Sequence, residues 1–153
     1  MAELLKVGDK APDFEAKDQN GNTVKLSEYR GKPVVVYFYP KDDTPGCTTE
    51  ACNFRDNISS YKDHGVQVLG VSVDSENSHK KFQDKYSLNF TLVSDKSKDI
   101  VEKYGVKGEF GSAKRVTYLV KPDGTIGYVY GKVIPKDHAV DVMEKLKELQ
   151  LVR

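Results

Sequence analysis

The chain has 153 residues, 38% hydrophobic and 31% charged, with 24 basic against 23 acidic side chains and a net charge of +1. This lies far from the low-hydrophobicity, high-charge compositions that stay disordered, and the interspersed charges leave no basic footprint for nucleic acid or an anionic membrane. A chain of this length buries roughly 68–70% of its unfolded surface without disulfide or metal support, so one domain over residues 1–153 is expected.

Met1 to Glu15 lacks the apolar core of a signal peptide, and no later stretch approaches the ~18 apolar residues of a membrane span. The expected location is therefore cytoplasmic. In a reducing compartment the two cysteines, Cys47 and Cys52, are expected to serve catalysis or redox sensing rather than a structural disulfide.

In chain order, Asp13–Ala16 and Thr23–Leu26 flank Asp18-Gln19-Asn20-Gly21-Asn22, and the Asn-Gly step between short alternating segments predicts a hairpin. Ser27 is expected to cap a short helix ending at Gly31. Pro33–Tyr39 is an unbroken apolar run rich in β-branched and aromatic residues, the pattern of a strand buried on both faces. From Cys47, the positions Ala51, Phe54, Ile58 and Tyr61 recur at helical spacing, and Gly65 supplies a stop.

Val66–Val73 reads as a second buried strand, Ser75–Tyr86 as a helix with Phe82 and Tyr86 inward, and Phe90–Val93 as a short strand. Asp95 is expected to cap a helix ending at Gly105. Val116–Val120 and Ile126–Tyr130 are joined by the turn Lys121-Pro122-Asp123-Gly124-Thr125, and an amphipathic helix over Lys136–Leu149 closes the chain. Alternating strands and helices followed by strand, strand, helix imply a three-layer α/β/α architecture around a mixed sheet.

The chemistry concentrates where the first buried strand hands over to its helix. Thr44 followed by Pro45 fits a helix cap followed by the first helical residue, since proline has no N–H to leave unpaired there. Cys47 then falls at the third helical position, among free amides and at the positive end of the helix dipole, which favour thiolate over thiol. The Thr44 hydroxyl is free to donate or accept a hydrogen bond beside it. A cysteine heading a core-facing stripe is also, more simply, a small buried hydrophobe.

The segment Tyr37-Phe38-Tyr39-Pro40-Lys41-Asp42-Asp43-Thr44-Pro45-Gly46-Cys47-Thr48-Thr49-Glu50-Ala51-Cys52 closely resembles the active-site segment of the peroxiredoxins, in particular the bacterioferritin comigratory protein (PrxQ) subfamily. The likeness extends to Val7-Gly8-Asp9-Lys10-Ala11-Pro12-Asp13-Phe14, to Arg115-Val116-Thr117-Tyr118-Leu119-Val120 and to the Pro122-Asp123-Gly124 turn. It implies a thioredoxin fold with an N-terminal β-hairpin extension, and a thiol-dependent peroxidase acting on hydrogen peroxide and organic hydroperoxides with no cofactor. It further implies that Cys47 is the peroxidatic cysteine, that Thr44 and Arg115 bind and polarise the peroxide, and that Pro40 shapes and shields the pocket. Apart from that likeness, Arg115 reads as a solvated charge at a strand start. Glu50 is placed either to orient Arg115 or merely to favour the dipole of its helix.

Oxidation of Cys47 would yield a sulfenic acid that a second thiol traps as a disulfide, and Cys52 is the sole other cysteine in the chain. Residues five apart in a regular helix have Cα atoms ~8.6 Å apart, beyond what a disulfide spans, so the segment from Thr44 to Phe54 is expected to unwind. Alternatively, Cys52 is a packing residue and an outside thiol resolves the sulfenate. Thioredoxin or a similar dithiol is the reductant the resemblance implies, acting on a monomer or noncovalent homodimer.

The histidines His64, His79 and His138 are scattered without ligand spacing, so neither a zinc site nor a neighbouring Cys–His pair is expected. Two other readings stay open: a disulfide oxidoreductase, whose C-x-x-C spacing is here C-x-x-x-x-C, and a redox-responsive binding module that does not turn over.

Overall fold

The computed structural model describes residues 3–152. The chain runs β1 (Glu15–Asp18), β2 (Thr23–Lys25), a 3-10 turn (Leu26–Tyr29), β3 (Val34–Phe38), α1 (Pro45–Asp63), β4 (Gln67–Ser72) and α2 (Glu76–Tyr86). It continues through β5 (Thr91–Ser94), α3 (Asp99–Lys103), β6 (Val116–Val120), β7 (Ile126–Tyr130) and α4 (His138–Glu148). One mixed sheet takes the strands in the order β2-β1-β5-β4-β3-β6-β7.

β3 lies inside the sheet, between β4 and β6, because all of its side chains are apolar enough to be buried from both sides. It pairs parallel with β4 and antiparallel with β6. The two-residue period of a strand then divides the core. Val35, Tyr37 and Tyr39 pack with Phe54 of α1, Phe82 of α2 and Val142 of α4. Val34, Val36 and Phe38 face the other way, toward Ile100 and Tyr104 and toward Phe14 and Leu26 near the N-terminus. The crossovers β3-α1-β4 and β4-α2-β5 step in the same direction, so their usual right-handedness puts α1 and α2 on one face. The expected three layers result.

Local details depart from the sequence reading in instructive ways. The N-terminal hairpin is more than an appendage: β1 pairs antiparallel with β5 through Lys17 and Asp18, so it extends the main sheet. Ser27 is not a cap, because the 3-10 turn begins one residue earlier; its N–H instead donates to Asp13 Oδ1 at 2.9 Å. Lys98, not Asp95, flanks α3, yet the Asp95 carboxylate still accepts from the N–H groups of Ile100 (3.1 Å) and Val101 (2.9 Å). Asp95 thus satisfies the helix start from four residues upstream of Asp99. Ser75 does cap α2, accepting from Ser78 N–H at 3.1 Å. Tyr86 is only half-buried and turns its hydroxyl to Asp43.

Among the described residues, no helix is long and apolar enough to cross a membrane. For the site, one register matters most. Phe38 at the end of β3 pairs with Val116 at the start of β6, which delivers Arg115 to the edge where the chain leaves the sheet and turns into α1.

Candidate active site

Thr44 is the N-cap of α1 in extended conformation (φ −101°, ψ 156°), Pro45 is its first residue, and Cys47 stands third, only 1% exposed. The threonine side chain caps no amide of the first turn. Its hydroxyl donates instead to the Lys41 carbonyl at 2.8 Å. The uncapped amides and the helix dipole therefore remain directed at whatever negative charge sits at this helix start.

Arg115 completes the environment of the sulfur. Its Nη2 donates to Cys47 Sγ at 3.3 Å and its Nη1 donates to Glu50 Oε1 at 2.8 Å. One guanidinium fork is thus divided between a thiol and a carboxylate. Glu50 lies one helical turn beyond Cys47, on the same face of α1, and is completely buried. Its second oxygen, Oε2, has no partner among the described residues. Burial pushes this carboxyl up from 4.5 to about 7, against the pull of Arg115. For Arg115 the balance is reversed. Burial opposes its charge, but Cys47 and Glu50 outweigh that and raise it further, so a cation stands beside the sulfur at every relevant pH.

The approach of Arg115 depends on a missing side chain. A β-carbon on Gly46 would lie 2.9 Å from Nη2. Beneath the site, Tyr37 of β3 stacks on Phe54 with ring centroids 4.7 Å apart. To the side, His138 at the start of α4 is buried, sharing a 2.8 Å hydrogen bond between Nε2 and Thr117 Oγ1. Burial, then Arg115, pushes this imidazole down to about 4, so it stays uncharged near the guanidinium.

Of the residues singled out in the sequence, Cys47 and Arg115 are brought into contact, Thr44 occupies the N-cap position without a side-chain cap bond, and Pro40 is half-buried directly after Tyr39. Cys52 is a free, half-buried thiol in the same helix as the free Cys47. Sequence reasoning left Glu50 undecided and passed over Gly46. The signal for Glu50 was its three-residue spacing from Cys47; for Gly46 no local pattern distinguishes it from an ordinary helix-start glycine.

Comparison with known proteins agrees with this geometry. Residues 7–129 match the AhpC/TSA family. Peroxiredoxin Bcp of Bacillus subtilis is 43% identical over 152 residues, covering 95% of this chain and 97% of its own. A PrxQ mutant from Xylella fastidiosa superposes with a TM-score of 0.90 at 30% identity, over 95% of this chain and 98% of that one. The bacterioferritin comigratory protein of Xanthomonas campestris, solved as trapped intermediate and ligand complexes bearing on its alkyl peroxide reduction, gives 0.87 at 32% identity over 94% and 98%. The sheet is that of the thioredoxin-fold peroxiredoxins. With a cysteine at the head of its helix and a guanidinium on the sulfur, the chain belongs to the AhpC/TSA family and is a peroxiredoxin, a thiol peroxidase of the Bcp/PrxQ kind.

Proposed function

We propose that Cys47 is the nucleophile that reduces hydrogen peroxide and small organic hydroperoxides, and that Cys52 resolves the product. The observation that carries this reading is the 3.3 Å contact from Arg115 Nη2 to Cys47 Sγ at the head of α1. Cation, helix dipole and free amides converge there on one sulfur.

The thiolate attacks the terminal oxygen of ROOH, an S–O bond forms as the O–O bond breaks, and RO⁻ departs to take a proton as ROH. Negative charge grows on the leaving oxygen, so a donor preset at that point stabilises the transition state more than the ground state. Arg115 is that donor. The hydrogen of the Thr44 hydroxyl is committed to the Lys41 carbonyl, so Thr44 meets the substrate as an acceptor for the hydroperoxide O–H. Pro40 closes the approach against water.

Cys47 is left as sulfenic acid. The Cys52 thiol condenses with it, releasing water and forming a disulfide, which a dithiol such as thioredoxin reduces by exchange. This assigns all the redox chemistry to sulfur. The reduction of alkyl peroxide named for the Xanthomonas relative supports the substrate class. The same reading takes residues 1–153 as one domain, working in the cytoplasm as a monomer or noncovalent homodimer, without nucleic acid or membrane.

The test is peroxide consumption driven by a dithiol reductant, comparing wild type with Cys47→Ser, Cys52→Ser and Arg115→Ala. Loss of turnover in Cys47→Ser is expected. A Cys47→Ser variant that still turns over would overturn the proposal.

A further inference from the structure

The loop that sets the start of α1, Pro40–Thr44, is fastened to α2. Asp42 is buried, and its Oδ2 shares a 2.7 Å hydrogen bond with His79 Nδ1 and accepts another of 2.7 Å from the Ser78 hydroxyl. Its Oδ1 accepts from the Tyr39 hydroxyl at 2.6 Å, and its backbone N–H donates to Asp74 Oδ2 at 2.9 Å. His79 is fully buried, and its Nε2 lies 3.0 Å from the Val93 carbonyl on β5. A carbonyl only accepts, so Nε2 carries a proton. The ring thus bridges the Asp42 carboxyl at Nδ1 and the β5 backbone at Nε2, and it ties the loop to the sheet.

The next residue repeats the attachment at the surface. Asp43, held at φ +57°, accepts from Lys85 Nζ and from the Tyr86 hydroxyl, each at 2.7 Å. Two consecutive carboxylates before Cys47 therefore both grip α2. Farther along α1, Asn53 Oδ1 accepts from Ala139 N–H at 2.7 Å and Arg55 Nη1 donates to the Tyr86 carbonyl at 2.7 Å.

We propose that His79 is a positioning residue for Cys47: through Asp42 it holds the Pro40–Thr44 loop, and with it the helical start of α1, in the arrangement that attacks peroxide. This deepens the reading of Cys47 and Cys52 given above and rests on it. Closing a disulfide between residues five apart in a helix requires that helix to unwind. A contact made in the helical form alone biases the element toward that form by its differential free energy. The Asp42–His79 anchor therefore speeds attack on the peroxide and slows the closure that follows.

The two steps separate in a rapid-quench experiment with thiol trapping and mass spectrometry, following Cys47 oxidation by hydrogen peroxide and then disulfide formation. His79→Phe is expected to lower the rate of oxidation about ten- to a hundred-fold and to leave closure as fast as in wild type or faster. His79→Gln, which keeps a donor, is expected to recover part of the loss. Ser78→Ala, removing one donor to Asp42, is expected to show a smaller loss of the same sign and serves if the phenylalanine variant fails to fold. Unchanged oxidation in these variants overturns the inference, as does an equal fall in both steps, which marks general loss of structure. Wild type that ignores peroxide instead overturns the function itself.

Discussion

Arg115 stands where a side chain on residue 46 would begin: the β-carbon of an alanine there would lie 2.9 Å from Nη2 and 3.5 Å from Cζ. The atoms in conflict are the far end of a flexible side chain, so they can swing aside at little energetic cost. The consequence falls on chemistry. Gly46→Ala is expected to keep stability within about 1 kcal/mol of wild type while lowering the rate of Cys47 oxidation about ten- to a hundred-fold. Denaturant melts beside stopped-flow peroxide kinetics check it, and an unimpaired rate would show that the guanidinium need not stay on the sulfur.

The two ends of the Arg115 fork meet different partners, so lysine is a poor replacement. A single ammonium cannot hold both Glu50 and Cys47 in the present geometry. Arg115→Ala is expected to cost about 10²–10³ in the rate of peroxide reduction, as for removal of one preset donor, and Arg115→Lys to recover only a small part. Its fold should survive, because Glu50, already near 7, can take up a proton rather than remain a buried lone charge.

Glu50 gives stability a pH dependence whose sign is fixed. Its carboxyl is raised from 4.5 to about 7 in the folded protein, so its contribution is fully present below 4.5 and is lost as pH rises through 7. Relative to Glu50→Gln, wild type should lose up to about 3 kcal/mol between pH 4.5 and pH 8. Urea unfolding of both proteins at the two pH values measures this. A difference that stays constant would mean that the carboxyl titrates as it does in the unfolded chain.

Cys52→Ser should react once with hydrogen peroxide and then stop, with Cys47 trapped as sulfenic acid and driven to sulfinic acid by excess oxidant. In wild type, amide exchange across Thr44 to Phe54 should accelerate on oxidation, as the start of α1 unwinds to close the disulfide. Matching protection in reduced and oxidised protein would remove the switch. Continued turnover of the serine variant would transfer the resolving role to an outside thiol.

The sequence was most informative where the determining interactions are local. Pro33–Tyr39 announced a central strand because an unbroken apolar run has no polar face to show to solvent. Thr44 and Pro45 placed Cys47 third in its helix because capping is settled within one turn. The bounds of β6 and β7 were legible for the same reason. Ser27 was misplaced as a cap because its turn starts one residue earlier and its N–H is taken by Asp13 from the preceding loop, and Asp95 because its carboxylate reaches the amides of α3 from outside the cap position, which Lys98 holds.

Arg115 and Cys47 are 68 positions apart, and what joins them is the pairing of Phe38 with Val116 across two strands, which no window of sequence contains. The resemblance to peroxiredoxins supplied the arginine's role; the residue by itself promised only a solvated charge. The burial that moves Glu50 to about 7, and the closure of Asp42 onto His79, arise only when α1 and α2 settle on the same face of the sheet. Sequence alone therefore determined the elements and the place of Cys47 at a helix start, since periodicity and capping act over a few residues. The charges that surround that sulfur were decided by the tertiary structure, because desolvation and distance between remote segments do not exist until the chain has packed.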